Sequence, residues 1–204
     1  MTNAIGFTSG AEDREDEGSG GVRFTVHWEG DLALTDHQDI AYTLRQAFPD
    51  IAVLFPKARS WVGLRPELRL LARTEAGVVG HYAMARRFIQ VDQTDQLVGE
   101  TGLLAVHPDL HCPRDMRTRL LHRMGLILGE LGVPFGFTNL SGDLVEAYLA
   151  AGWHVLHGVR TRLCLARGPS RPVTLDYPAV ALPVAERIEQ WPPGTLIRLN
   201  GPEL

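Results

Sequence analysis

The order of patterned segments predicts an α/β fold, a mixed β-sheet flanked by helices. Strands come first, a helix follows the central strand, and strand, helix and strand then succeed one another. Three observations carry this reading. Val22-x-Phe24-x-Val26-x-Trp28 alternates as a half-buried strand does, residues 97–106 are apolar on both faces, and Met116, Leu120, Leu121, Met124 and Leu128 recur at helical spacing.

Each element has a local reason. Thr35 and Asp36 suit the N-cap of a helix running to about Phe48, with Ile40, Leu44, Ala47 and Phe48 on one face. Residues 68–73 read as a strand, Glu75-Ala-Gly77 as a turn, and 78–91 as a longer strand closed by the tight connection Asp92-Gln-Thr-Asp95. After the central strand, Pro113 opens a helix that runs to about Leu131, where Gly132 stops it. Residues 133–138 form a short buried strand. A short helix over 143–151 follows, with Asp143 as its N-cap and Gly152 as its stop. Residues 153–165 return as one or two strands. The Pro-rich remainder holds one strand near Val180 and an irregular end.

Composition narrows the function. The chain has 204 residues, enough for one domain with a sizeable core, and the charge balance of −4 leaves no electrostatic footprint for nucleic acid. Cys112 and Cys164 lack metal-ligand spacing, so no metal site is expected and two reduced thiols are. No apolar run approaches the ~20 residues that span a bilayer, and the first residues lack a secretory signal, so integral membrane association is not expected and a cytoplasmic protein is. Residues 1–21, with Glu12-Asp-Arg-Glu-Asp-Glu17 between Gly- and Ser-containing stretches, bury too little to offset ordering entropy. They read as a disordered acidic tail before a single domain, 22–204.

Several stretches, taken in order, resemble one family. They are Arg59-Ser-Trp-Val-Gly-Leu-Arg-Pro-Glu67, Arg86-Arg-Phe-Ile89, Leu131-Gly-Val-Pro-Phe-Gly-Phe137 and the closing Trp191-Pro-Pro-Gly-Thr-Leu-Ile-Arg-Leu-Asn-Gly-Pro-Glu-Leu204. Together they resemble the rhizobial nodulation N-acyltransferases, the NodA family, over roughly residues 24–204. The element order is similar to the GCN5-related N-acyltransferase (GNAT) superfamily, whose central strand and the strand after its helix splay apart around a thioester donor. Unpaired backbone groups in such a splay can be satisfied by an extended pantetheine arm carrying two amides. The resemblance implies transfer of a fatty acyl group from acyl carrier protein, or acyl-CoA, to the free amine of a glucosamine-containing oligosaccharide. No tightly bound cofactor is implied. An acetyl-CoA-dependent aminoglycoside-type N-acetyltransferase and a non-catalytic binding protein on the same scaffold are the alternatives.

Acyl transfer to an amine needs a proton acceptor, donors for the oxyanion and a proton for the leaving thiolate. Glu100, inside the apolar central strand, is the candidate base, because burial raises a carboxyl pKa toward neutrality. The alternative is a glutamate paired across the hairpin with Arg86 or Arg87. Tyr148 opens Tyr-Leu-Ala-Ala-Gly-Trp, which resembles the superfamily's Tyr-x-x-x-Gly-aromatic motif, where the phenol serves the leaving thiolate. Anchoring of the helix is its other reading. The resemblance assigns the backbone of Leu104, Ala105 and Val106, with Asn139, to the thioester arm. The superfamily's glycine-rich phosphate loop is replaced by Pro108-Asp-Leu-His-Cys-Pro-Arg-Asp-Met-Arg117, which has no glycine. There Arg114 and Arg117 can contact a single phosphate, which favours a carrier-linked phosphopantetheine donor over the pyrophosphate of coenzyme A. Cys112 in this loop reads as an ordinary thiol.

Trp61, Arg65 and Glu67 suit a sugar acceptor, since an aromatic face stacks on a sugar ring and charged groups bond its hydroxyls. A structural cap over the sheet is the alternative. His81 reads either as an acceptor contact or as a hydrogen-bonded structural histidine. The hairpin register separates it from Glu100 by about six residues, roughly 20 Å at ~3.3 Å per residue, so a direct dyad needs a bulge. Trp191 reads as core.

Overall fold

The alternation that begins at Val22 forms a strand: Val22 and Phe24 are buried with Thr25, and Val26, His27 and Trp28 are half-buried. In the computed structural model, which describes residues 12–13, 21–164 and 172–204, a short strand Glu12–Asp13 (β1) pairs antiparallel with Arg23–Trp28 (β2). Residues 1–11 and 14–20 of the expected acidic tail, and Leu165 at the end of the expected strand 153–165, lie outside the described residues. The chain forms two compact units, Met1–Met84 with Leu103–Leu120, and Ala85–Gly102 with Leu121–Leu204.

In the first unit, helix Leu34–Ala47 (α1) lays Ile40 and Leu44 against Phe55, Leu71 and Ala105. Its N-cap is Ala33 rather than Thr35 or Asp36. Asp36 instead sits at the third helical position, and its carboxylate accepts the Ala33 N–H at 2.9 Å, which satisfies an orphan donor from inside the first turn. Strand Leu68–Thr74 (β3) pairs antiparallel with β2 on one side. On the other it pairs with the first half of Gly77–Val91 (β4), with a bulge at Ala72 and Arg73. Strand Thr94–Val106 (β5) ends in this unit, and helix Pro113–Glu130 (α2) begins in it. Gly80 on β4 permits this packing: a Cβ there would lie 3.1 Å from both Ala72 Cβ and Leu120 Cδ1.

The second unit adds Phe135–Asn139 (β6), Val145–Ala150 (α3), His154–Val155 (β7), Arg160–Cys164 (β8), Pro172–Leu175 (β9), Ala179–Pro183 (β10) and Leu196–Arg198 (β11). β5 and β6 run parallel, with Val98, Gly99 and Glu100 opposite Phe135, Gly136 and Phe137. β10 pairs antiparallel with β6 along its whole length and with β7. β11 is parallel to β8 and antiparallel to the end of β4, Ile197 facing Val91. Ile89, Val91, Val98, Phe135, Phe137, Leu163, Ala179, Ile197 and Leu199 form its core. Trp191 packs there as expected, stacked on Phe137 and edge-on to Phe135.

Two further details differ from the sequence reading. Asp143 is no N-cap; it lies inside a 3-10 turn, Gly142–Leu144, that leads into α3. The Pro-rich end holds β9 and β11 besides β10, because strands of four and three residues are too short to leave a periodicity. The helix stops are as read. Gly132 and Gly152 take φ of 66° and 86°, a left-handed conformation that costs glycine nothing, and Trp153 N–H reaches back to Tyr148 O at 3.1 Å.

Candidate functional site

In the second unit, Glu100 stands on the last rung that β5 shares with β6. Both strands run on, β6 to Asn139 and β5 to Val106, so the ladder ends while the strands continue. Glu100 is only 2% exposed, and both its oxygens are engaged. Oε2 accepts from Arg87 Nη1 at 2.8 Å, the partner that the hairpin register allows, and Oε1 accepts from Leu204 N–H at 3.1 Å. Arg87 also donates to Pro202 O at 2.7 Å and to Leu199 O, so one guanidinium fastens the segment 199–204 beside the carboxylate. Gly102 makes room for that segment, since a Cβ there would come within 2.7 Å of Leu204 O.

Burial pushes the Glu100 carboxyl up, while the Arg87 charge and hydrogen bond and the Leu204 amide pull it down; the balance stays above the ordinary carboxylate range. Glu203 keeps an exposed surface beside it, and its carboxyl is pushed up by crowding from the protein around it and by the Glu100 charge. A carboxylate raised toward neutrality and fixed by an arginine is equipped to accept a proton.

Tyr148 on α3 is buried, its ring edge-on to Trp153 at 5.1 Å. The Asn139 Oδ1 accepts from Thr161 Oγ1 at 2.7 Å.

The first unit gathers a second group. Arg69 is fully buried and spends all five N–H donors: Nε on Glu29 Oε2 at 2.7 Å, Nη2 on Glu29 Oε1 and Ser60 Oγ, and Nη1 on Ser60 O and His81 Nε2. Burial pushes Glu29 up, but the bonds and charge of Arg69 and the bond of Arg65 outweigh it, so its carboxyl lies below its usual value. His81, fully buried, donates Nδ1–H to Leu103 O at 2.8 Å. Burial and the Arg69 charge hold His81 down at about 3, so the ring is neutral. Its environment is that of the hydrogen-bonded structural histidine.

Leu103 is a non-glycine residue at φ 55°, in the middle of β5. Residues 104–106 follow this left-handed break, with Ala105 packed on α1. At the rim of the cluster Arg65 lies 5.2 Å over the Trp61 ring and donates to Glu29 at 2.9 Å, while His37 reaches Ser60 Oγ at 2.8 Å and the Trp61 edge. Glu67 fixes this loop through its backbone, donating to Met84 O and accepting from Glu29 N–H. Arg114 is exposed at the start of α2 and Arg117 half-buried one turn on, after the left-handed Cys112.

Within the first unit, then, Trp61 and Arg65 come together around Glu29, and His81 joins them through Arg69. Within the second, Glu100 stands with Arg87 and the segment 199–204. Glu29 and Arg69 were not among the sequence candidates. The signal was there: an arginine inside the apolar run Leu68-Arg-Leu-Leu71 requires a buried acceptor. Among the described residues no group of three or more His, Cys, Asp or Glu is placed to hold a metal, and no helix is long and apolar enough to cross a membrane.

Comparison with known proteins adds the lineage of this arrangement. Residues 19–204 match the family described as Nodulation protein A. The chain is 37% identical over 202 residues to a Nodulation protein A of Rhizobium meliloti, covering 90% of this chain and 98% of that one. It is 39% identical over 194 residues to that of Rhizobium tropici, with the same coverage. Among solved structures, a GNAT family N-acetyltransferase from Escherichia coli in complex with CoA superposes with a TM-score of 0.60 at 18% identity, covering 91% of this chain and 93% of that one. The aminoglycoside 6′-N-acetyltransferase from Enterococcus faecium superposes with a TM-score of 0.53 at 13% identity, over 78% and 98%. The fold is therefore the GNAT fold.

Proposed function

Since the chain belongs to the Nodulation protein A family and is an N-acyltransferase, we propose that it moves a fatty acyl group from a phosphopantetheine thioester to the free amine of a glucosamine-containing oligosaccharide. The donor arm is carried by acyl carrier protein or by coenzyme A. The observation that carries this reading is Glu100: a buried carboxyl, raised above its usual range, on the last rung before β5 and β6 cease to pair.

The chemistry follows from the residues. The amine nitrogen attacks the thioester carbonyl and passes a proton, directly or through water, to Glu100. The developing oxyanion is held by backbone N–H groups of Leu104, Ala105 and Val106, beyond the left-handed Leu103, as preorganised amide dipoles hold such charge well in a dry site. Collapse of the tetrahedral intermediate breaks the C–S bond, and Tyr148 hydrogen-bonds the departing thiolate. Arg114 and Arg117, at the start of α2, contact the single phosphate of the arm, and Asn139 contacts its amides. Trp61, Arg65 and Glu67 receive the sugar: the ring stacks, and the guanidinium and carboxylate bond hydroxyls. A thioester donor and two free cysteines, one of them exposed, suit the cytoplasm as the place of action.

The test supplies long-chain acyl carrier protein, long-chain acyl-CoA and acetyl-CoA in turn, with a chitin oligosaccharide bearing one free amine, and follows N-acylation by mass. Transfer of the long chain is expected, and Glu100→Gln should reduce kcat by about 10²–10⁴-fold, the usual worth of a general base. Acetyl transfer without long-chain transfer overturns the donor assignment. No thioester consumption with any pair makes the protein a binding scaffold.

A further inference from the structure

Leu103 interrupts the extended backbone of β5, which continues beyond it to Val106. A side-chain-bearing residue is strained in the left-handed region, and glycine or asparagine usually takes such positions. Here a leucine holds φ 55° with its carbonyl turned onto a buried side chain, His81 Nδ1, at 2.8 Å.

A carbonyl oxygen can only accept, so the ring proton is on Nδ1. Whether it stays there depends on the other nitrogen. Arg69 Nη1 lies 2.9 Å from His81 Nε2, and a guanidinium can only donate, so Nε2 must keep its lone pair. This contact excludes the other neutral tautomer. Arg69 cannot turn away, because its Nε and Nη2 grip both oxygens of Glu29 and its remaining donors hold Ser60. Direction therefore passes one way, from Glu29 through Arg69 and His81 to the Leu103 carbonyl. Protonation would set a second cation against Arg69 in a fully buried place, so the ring stays neutral across the physiological range.

We infer that His81 is a positioning residue: backed by Arg69 and Glu29, it holds Leu103 in its left-handed conformation and so aims the amides of Leu104, Ala105 and Val106. The inference deepens the proposed function, in which those amides hold the thioester carbonyl. His81 thus acts through Leu103, not on the sugar.

Two substitutions divide the roles of the ring. Asparagine presents an N–H where Nδ1 stands but does not reach Arg69; glutamine reaches Arg69 but offers Leu103 no donor. Both disturb the buried cluster. Only His81→Gln should lower kcat, by about 10²–10³-fold, the worth of a misplaced oxyanion donor, while His81→Asn stays within about threefold of wild type. The KM for the amine and both limbs of the pH–rate profile should be unchanged in each. Equal loss of kcat in the two variants, a raised acceptor KM, or loss of a pH limb would each overturn the inference. Two readouts need no turnover. The His81 ring nitrogens should report the Nδ1–H tautomer throughout about pH 5–8, and amide hydrogen exchange at residues 104–106 should quicken in His81→Gln but not in His81→Asn. A wild type that transfers nothing but meets these two expectations overturns the proposed function and leaves the positioning role standing. A titrating ring, or exchange unmoved by His81→Gln, overturns the positioning role.

Discussion

Replacing Arg87 with methionine keeps much of the side-chain volume and removes the only cation bonded to Glu100 among the described contacts. Two separable effects follow. The first does not depend on pH: the carbonyls of Leu199 and Pro202 lose a charged donor, about 1–3 kcal/mol together. The second depends on the charge of Glu100. Its folded pKa already lies above the unfolded value, so its contribution is most favourable while the carboxyl is protonated and is lost as pH rises through the folded pKa. Without Arg87 the folded pKa climbs further. The destabilisation relative to wild type should then grow by up to about 1.4 kcal/mol per pH unit once the wild-type carboxyl ionises, toward the ~3–5 kcal/mol typical of a broken buried pair. Urea unfolding of both proteins at about pH 5 and about pH 8 reads the difference, and Arg87→Met with Glu100→Gln should erase the pH-dependent part. A loss equal at both pH values, or one unchanged by Glu100→Gln, would mean that Arg87 matters only as packing and as a clasp for the segment 199–204.

Three further outcomes follow from the geometry. Gly136→Ala should destabilise by about 1–3 kcal/mol in denaturant melts, because its Cβ would meet Leu128 Cδ1 and Trp153 Cη2 at 3.0 Å each; a neutral result would mean that the core there is loose. Wild-type stability should decline as pH falls from the ordinary histidine range toward about 3, since the unfolded chain protonates His81 and the folded one does not; His81→Asn should flatten that decline by up to about 1.4 kcal/mol per pH unit, and an unaltered decline would show a ring that is protonated when folded. Tyr148→Phe keeps the packing on Trp153 and should slow thioester turnover with little change in KM, whereas unchanged turnover would leave Tyr148 as an anchor for α3.

Local chemistry was legible in the sequence and long-range pairing was not. Glu100 declared itself because a carboxylate inside an apolar strand is rare, and Arg87 as its partner followed from hairpin arithmetic. Gly132 and Gly152 marked two helix ends through their backbone freedom. The N-caps misled: Asp36 satisfies the first turn from within it, and a 3-10 turn displaces the start of α3, differences that side-chain preference alone does not separate. Hidden altogether were contacts between residues far apart in the chain. Glu29 meets Arg69 across 40 positions, and Leu204 meets Glu100 across 104. Neither the left-handed Leu103 nor the reason for it could be read, since leucine gives no hint of a turn and the cause is a histidine 22 residues earlier.

The late arrival of β11 has a consequence for biogenesis. Ile197 and Leu199 complete a core whose other members precede them, and β11 bridges the end of β4 to β8. While the protein is being made, those strand edges and apolar faces stand ready long before their mate leaves the ribosome. Synthesis therefore includes an interval in which the nascent polypeptide offers open, sticky strand margins, and its yield in a cell should depend on holdase chaperones and on a cool, slow induction.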